Sequence, residues 1–322
     1  MKKPIFLNIL YIGFLSMLIF PKQTYAADYG LSISPPLLRV HIKPGKSITQ
    51  VFRLENLSKS EKTLVAGIVP FTDADELGNP ILNPKANTPW ISYFSLANSS
   101  ITLDKPFTIK SGSSEQLILS LSVPESAPSR DIYATLLIAT YNNTIDDDFM
   151  GTSVSGIIGA NLLITVNSQA FPDTILRIED FKPQQGSFLK IGNIYLADSI
   201  SPLTFSAVVN NQGNYIAETK GVFRVTTRNK PIHLEGILPV NVIGNSRRQL
   251  LNTNGDAFEY SPSLTNTGLH RLSLEIQTDN SSTTGSIEIF FFPLKLTIGL
   301  IIALLLIATT VKFTTKTPPK TY

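Results

Sequence analysis

Residues Leu294 to Phe313 read LKLTIGLIIALLLIATTVKF, and no other stretch restricts the possibilities for this chain so strongly. About 20 predominantly apolar residues at 1.5 Å rise match the hydrocarbon core of a bilayer. Pro293 stands just before them, where a helix loses nothing by lacking an N–H. The run therefore predicts a single transmembrane helix over 293–313. Lys312, Lys316 and Lys320 place the short tail, 314–322, on the cytoplasmic side by the positive-inside rule, and Lys295 can snorkel to the outer headgroups. Everything before the helix is then exported or cytoplasmic, and the N-terminus decides which.

At that end Lys2 and Lys3 precede the apolar run IFLNILYIGFLSMLIF, and Thr24-Tyr25-Ala26 offers a small-residue cleavage site. This order predicts a secretory signal peptide over 1–26, with an uncleaved membrane helix as the alternative; in both cases the middle of the chain is exported. The expected location is the cell membrane, single-pass, with the N-terminal ectodomain outside and the tail inside. The formal charge of +3 comes from 27 basic against 24 acidic residues, but seven of the cations lie in the two terminal segments. The central region is thus mildly acidic, which gives no case for a nucleic-acid partner. The absence of cysteine removes disulfides, thiolate metal sites, a thiol nucleophile and lipoprotein-type lipid attachment. Stability must come from packed cores.

From Leu31 to Asn167 apolar residues recur with period two or in short runs bounded by Pro, Gly, Asn and Ser, predicting strands at 31–34, 48–56, 63–71, 90–94, 116–123, 132–141 and 156–167. Leu117, Leu119, Leu121 and Val123 share one face, with Ser120 and Ser122 on the other. Residues 171–186, with Pro172, Pro183 and Gln184-Gln185-Gly186, read as a junction. Alternation resumes at 191–196, 203–210, 222–227, 233–242, 249–252, 271–277 and 287–292. The expected fold is all-β: two tandem Ig-like antiparallel β-sandwich domains, 27–172 and 187–292, joined by a linker at 173–186 and followed by a single transmembrane helix. Phe52 to Ser58 resembles Phe205 to Asn211, a strand running into an Asn-rich turn. Duplication and shared turn chemistry account for this equally well.

Pro44-Gly45-Lys46-Ser47 before a strand ending in Glu55-Asn56, then Trp90-Ile91, then Thr108 to Gly112 before LILSLSVP and DIYATLLIAT, resembles bacterial Ig-like surface domains. With its signal peptide, two sandwiches, helix and lysine-bearing tail, the chain is similar to the WxL-interacting family of cell-surface proteins. That resemblance implies peptidoglycan binding by the first domain and attachment to a partner or host protein by the second. Between Pro128 and Tyr133, where such domains carry a glycine, this chain has Ser129-Arg130-Asp131-Ile132, so no ligand surface transfers residue by residue. The chain also resembles periplasmic pilus chaperones, which pair two Ig-like domains and lend a strand to a subunit. Arg39 sits where those chaperones place a basic residue for a terminal carboxylate, but the lysine expected on a later strand is missing from Asn161 to Asn167.

Candidate chemistry is sparse. His41, His233 and His270 are far apart in sequence, no HExxH or GxSxG occurs, and solvated or edge histidines are expected. Asp73-Ala74-Asp75-Glu76-Leu77-Gly78 begins like a calcium loop but has Leu77 at the fifth position and Pro84 in place of the terminal Glu. Asp146, Asp147 and Asp148 could join it; a solvated acidic tip is the expectation. Trp90 suits a sandwich core better than a sugar-stacking platform. Phe290, Phe291 and Phe292 end the last strand and enter an interfacial aromatic belt. Asn56, Asn98, Asn142 and Asn280 each begin an N-x-Ser/Thr triplet, relevant only in a glycosylating host.

No catalytic, cofactor-binding or metal site is expected, and the ligand-binding residues are unassigned. The expected function is a non-catalytic, membrane-anchored binding or scaffolding protein that recognises cell-wall polymer or another exported protein, with no nucleic acid and no small-molecule cofactor. The alternatives are a membrane-tethered assembly factor acting by strand donation, in which Arg39 matters, and an enzyme with a dispersed acidic site at Asp73, Asp75 and the Asp146 loop.

Overall fold

The computed structural model describes residues 30–141, 157–169, 172, 174–264 and 266–314. The expected signal peptide, the Asp146 loop and the tail beyond 314 lie outside them.

The first sandwich is built from β1 (Leu31–Ser34), β2 (Leu37–Ile42), β3 (Ser47–Asn56), β4 (Lys62–Ala74), β5 (Pro80–Leu82), β6 (Phe94–Leu96), β7 (Pro106–Ile109), β8 (Ser114–Ser122), β9 (Arg130–Thr140) and β10 (Ile157–Val166). One sheet runs β1-β3-β8-β6; the other runs β2-β10-β9-β4-β5, with β7 also on β4. Their inner faces meet in a core that includes Phe52, Leu54, Leu117, Leu119, Leu136 and Leu162, all at most 1% exposed. Burial of each such side chain contributes about 1.5–3 kcal/mol.

The second sandwich comprises β11 (Leu176–Gln185), β12 (Phe188–Ile191), β13 (Ile194–Asp198), β14 (Leu203–Asn211), β15 (Ala217–Thr227), β16 (Lys230–Gly236), β17 (Val240–Val242), β18 (Ser246–Gln249), β19 (Phe258–Tyr260), β20 (Gly268–Gln277) and β21 (Ser282–Phe292). Its sheets run β11-β14-β18, with β19 on β14, and β12-β13-β21-β20-β15-β16, with β17 on β15. Phe205, Phe223, Phe258 and Phe291 fill the middle. Helix α1 (Leu294–Thr314) follows β21 after Pro293 alone. It is the one helix among the described residues long and apolar enough to cross a membrane, and its span Leu294–Lys312 is not buried against the protein.

Both sandwiches open in the same way. In the first, β1 pairs antiparallel with β3, the chain turns at Pro35-Pro36, and β2 pairs parallel with β10 in the opposite sheet. In the second, β11 pairs antiparallel with β14, and β13 pairs parallel with β21. Two fully buried asparagines hold equivalent corners. Asn56 Nδ2 donates to the Ser60 and Ile109 carbonyls at 2.8 and 3.0 Å while its Oδ1 accepts from Ser58 N. Asn211 Nδ2 donates to the Tyr215 and Val242 carbonyls at 2.8 and 3.0 Å while its Oδ1 accepts from Gly213 N. The correspondence is therefore Asn56 with Asn211, two residues away from the alignment of Phe52 with Phe205.

Several expectations change. The last strand of the first sandwich ends at Val166 and the first of the second begins at Leu176, so most of the expected linker 173–186 is β11. Register shifts between Ile178 and Asp180 and between Pro183 and Gln185 break its period of two, which hid the strand. Trp90 lies not in a strand but in a short 3₁₀ turn, Pro89–Tyr93, closed by Ile91 N to the Thr88 carbonyl at 3.1 Å. It is 5% exposed, in the core and edge-on to Phe94. The expected strand 233–242 is two strands, β16 and β17, interrupted around Pro239.

Candidate functional site

The outer face of the β2-β10-β9-β4 sheet looks toward the second sandwich. The registers place His41, Thr165 and Asp131 in one row across that face and Arg39, Leu163 and Tyr133 in the next. Leu163 and Phe71 pack against Ile216 and Ile243 of the second sandwich, with Tyr133 stacked on Phe71 at 5.7 Å between ring centroids.

Asp131 closes this seam. Its Oδ2 accepts from the Tyr133 hydroxyl at 2.5 Å and from Ile216 N, across the seam, at 2.5 Å. The Tyr133 hydroxyl in turn accepts from Gly244 N at 3.1 Å. Burial pushes the Asp131 carboxyl above its ordinary range, against the pull of Tyr133, Thr165, the Ile216 N–H and the Arg39 charge. Its Oδ1 is buried and no hydrogen bond closes on it. Burial, followed by the Asp131 charge and their hydrogen bond, raises the Tyr133 phenol as well, so it stays protonated as the donor.

A second clasp joins the sandwiches at the loop after β4. Glu76 pairs with Arg247 of β18 at 3.2 Å and its carbonyl accepts from Gln249 N at 2.7 Å; Arg247 also reaches Glu179 at 2.8 Å. Asp75 accepts from both Asn79 Nδ2 and Asn79 N at 2.8 Å, bonds that hold its carboxyl below the usual range. Gly78 has φ +79°, and a Cβ there would meet the Arg248 guanidinium at 0.8 Å. The stretch that began like a calcium loop is thus an interdomain clasp whose carboxylates engage Arg247 and Asn79.

Between the clasps β2 runs along two hollows of about 330 and 450 Å³. The smaller is flanked by Arg39, His41, Thr165 and Glu218, the larger by Leu37, Phe71, Leu163 and Arg248. Arg39 Nη1 donates to Glu218 Oε2 at 2.6 Å. The residue facing Arg39 in β10 is Leu163, and β10 contains no lysine or arginine. Arg39 therefore has one carboxylate already and no cationic companion in β10.

The edge of β2 is the other feature of the cleft. Asn161 N donates to the Pro36 carbonyl and Asn167 N to the Ile42 carbonyl, so the parallel ladder uses the peptide groups at even positions of β2. The N–H and C=O groups of Leu37, Arg39 and His41 point outward, and among the described residues no strand pairs with them.

The other candidate residues do not converge here. His41 is exposed, its Nε2 3.1 Å from the Asn167 carbonyl. His233 is half-buried beside Phe223 and Tyr260. His270, expected to be solvated or at an edge, is fully buried against Phe291, because β20 turns its even positions inward. Asn56 is likewise buried and its amide is in use, whereas Asn280 is exposed and donates to the Pro172 carbonyl. No group of three or more His, Asp or Glu gathers to hold a metal among the described residues. Asp131, Tyr133, Glu218 and Arg247 were not singled out by the sequence pattern. The one signal was the stretch Ser129 to Ile132, which lacks the glycine expected between Pro128 and Tyr133 and contains Asp131.

No protein-family model matches the chain, and no curated protein matches it. Solved structures with a distant likeness include the E. coli chaperone DraB (10% identity, 80% of this chain and 96% of that one, TM-score 0.32). The class 5 fimbriae chaperone CfaA is another (12% identity, 80% and 98%, TM-score 0.33). A third is the Salmonella enterica SafA pilin in complex with the SafB chaperone (13% identity, 81% and 95%, TM-score 0.31).

Proposed function

We propose that this chain is a non-catalytic, membrane-anchored binding protein whose partner is another exported protein, held at the cleft between the sandwiches by pairing along β2. The observation that carries the reading is the outward edge of β2, with its Leu37, Arg39 and His41 peptide groups open over the two hollows. An unpaired row of main-chain donors and acceptors is satisfied by an extended peptide, while the hollows accommodate its alternate side chains. A glycan strand offers no such ladder and a peptide stem only a short one, so an extended protein strand suits this edge better. The two clasps keep the cleft walls in fixed relation, which lowers the ordering cost of binding. Helix α1 holds the whole assembly at the membrane, with the sandwiches on the exported side and the tail inside.

Leu37→Pro tests this directly, since proline deletes an outward N–H without touching the ladder to β10. Co-purification from membranes is expected to recover about tenfold less partner, equivalent to ~1.4 kcal/mol, with Trp90 fluorescence unfolding unchanged. Undiminished recovery overturns the edge reading. Pelleting with purified cell-wall polymer irrespective of residue 37 assigns the recognition to polymer instead.

A further inference from the structure

The outer face of the larger sheet in the second sandwich changes character along its length. In β21 the outward residues are Ser282, Thr284, Ser286, Glu288, Phe290 and Phe292, all exposed, and Pro293 and α1 follow at once. β20 repeats the change, from Leu269 to Arg271, Ser273 and Glu275, whereas β13 and β12 stay apolar one row further, at Ile194 and Ile191. The registers set Leu269 of β20 and Leu196 of β13 on either side of Phe290, and Leu189 of β12 beside Leu196. Leu189 is 59% exposed, Leu269 47% and Phe290 42%. Toward the other end of the same face β21, β20 and β15 are mainly polar, with Arg224 and Glu275 paired at 3.1 Å, although Leu234 of β16 stands exposed beside Arg224. An apolar row four strands wide, roughly 14 Å across at strand spacing, is unusual on a surface that meets only water.

The position of the row identifies what meets it. Phe290 lies two residues from the end of β21, roughly 7 Å along the strand, and the headgroup region of each leaflet is about 5–8 Å deep. No flexible linker intervenes, because β21 ends at Phe292 and α1 begins at Leu294. The entry of the helix is also pinned to the domain. Lys295 Nζ donates to Ser201 Oγ at 2.6 Å and lies 3.7 Å from Asp198 Oδ2, a carboxylate that is itself buried. The apolar row is thereby held within about 7 Å of the point where the chain passes into α1.

We infer that Leu189, Leu196, Leu269 and Phe290 form a lipid-contact rim, seated in the outer headgroup region of the membrane that α1 crosses. The second sandwich then rests on the bilayer, and this orients the β2 cleft relative to the surface. The inference rests on the membrane-anchor reading above.

The chain has no cysteine, so single labels report cleanly. The variants Leu196→Cys, Leu269→Cys, Ser286→Cys and Leu304→Cys of the full chain carry a polarity-sensitive fluorophore and are reconstituted into phosphatidylcholine/phosphatidylglycerol vesicles. A fraction of the lipids carries a nitroxide, on the headgroup or in the acyl chain. The expected result is blue-shifted emission and severalfold stronger headgroup-nitroxide quenching at 196 and 269 than at 286, with acyl-chain quenching at 304. If 304 is quenched while 196 and 269 behave like 286, the rim is refuted and the anchor stands. If 304 is not quenched by any lipid nitroxide, the anchor reading fails and the rim with it. If 196 and 269 are blue-shifted but unquenched by lipid, and self-quench as the protein-to-lipid ratio rises, a second copy covers the row and the rim is refuted.

Discussion

Replacing Asp131 separates what its hydrogen bonds do from what its charge does. Asp131→Asn keeps an oxygen for the Tyr133 hydroxyl and the Ile216 N–H and removes the buried charge. Asp131→Ala leaves both donors without an acceptor at the seam, each costing about 1–3 kcal/mol. Part of this is recovered by relaxation, so Ala should be less stable than Asn by about 2–4 kcal/mol. Because burial raises the carboxyl above its ordinary value of 3.8, the folded chain takes up a proton more readily than the unfolded chain. That contribution is fully present below the ordinary value and is lost as pH rises through the folded value. The wild type should therefore lose stability relative to Asn as pH rises from about 4 toward neutrality. Urea unfolding of the full chain in nanodiscs, followed by Trp90, the only tryptophan, provides the assay. Equal stability of the Ala and Asn variants would refute the hydrogen-bonding role, and a pH-independent difference between wild type and Asn would refute the burial argument.

Asn56→Ala and Asn211→Ala should each cost about 2–4 kcal/mol, since each strands a buried carbonyl, a part-buried one and a buried backbone N–H; Trp90 fluorescence should register the first directly, whereas the second should show in hydrogen exchange of the second sandwich. Gly221→Ala should cost about 3 kcal/mol or more, because its Cβ would meet the Glu275 carbonyl oxygen at 2.0 Å; rapid proteolysis between 176 and 292 is the readout. Burial holds the His270 imidazole below its ordinary value of 6.5, so its stabilising contribution is present above that value and is lost as pH falls through it toward the folded value. His270→Phe should flatten the acid-side loss of stability of the second sandwich in calorimetry between about pH 7 and 5.

The strand architecture was legible where one face is buried and the ladder is regular. Leu117, Leu119 and Leu121 in β8 and Leu272, Leu274 and Ile276 in β20 alternate cleanly and lie inside as expected. β2 alternates too, with Leu38, Val40 and Ile42 toward the core, yet no strand was expected at 37–42, because the run is short and follows Pro35-Pro36, where the chain crosses between sheets. β11 was hidden by its two register shifts. The seam was not legible, because the acceptor Asp131 and the donor Ile216 N are 85 residues apart and a main-chain donor leaves no trace in side-chain identity. The acidic loop at 73–78 could not be read correctly either, since its cation, Arg247, comes from the other sandwich.

Site-specific photocrosslinking from β2 in intact cells tests the central claim most directly. A photoreactive residue at position 37 or 41 of the full-length chain should give a covalent adduct with a discrete exported protein, and one at position 232, exposed on β16 of the second sandwich, should not. Equal adducts at 37, 41 and 232, or adducts at 232 alone, would contradict the claim that the open edge of β2 is where the partner pairs.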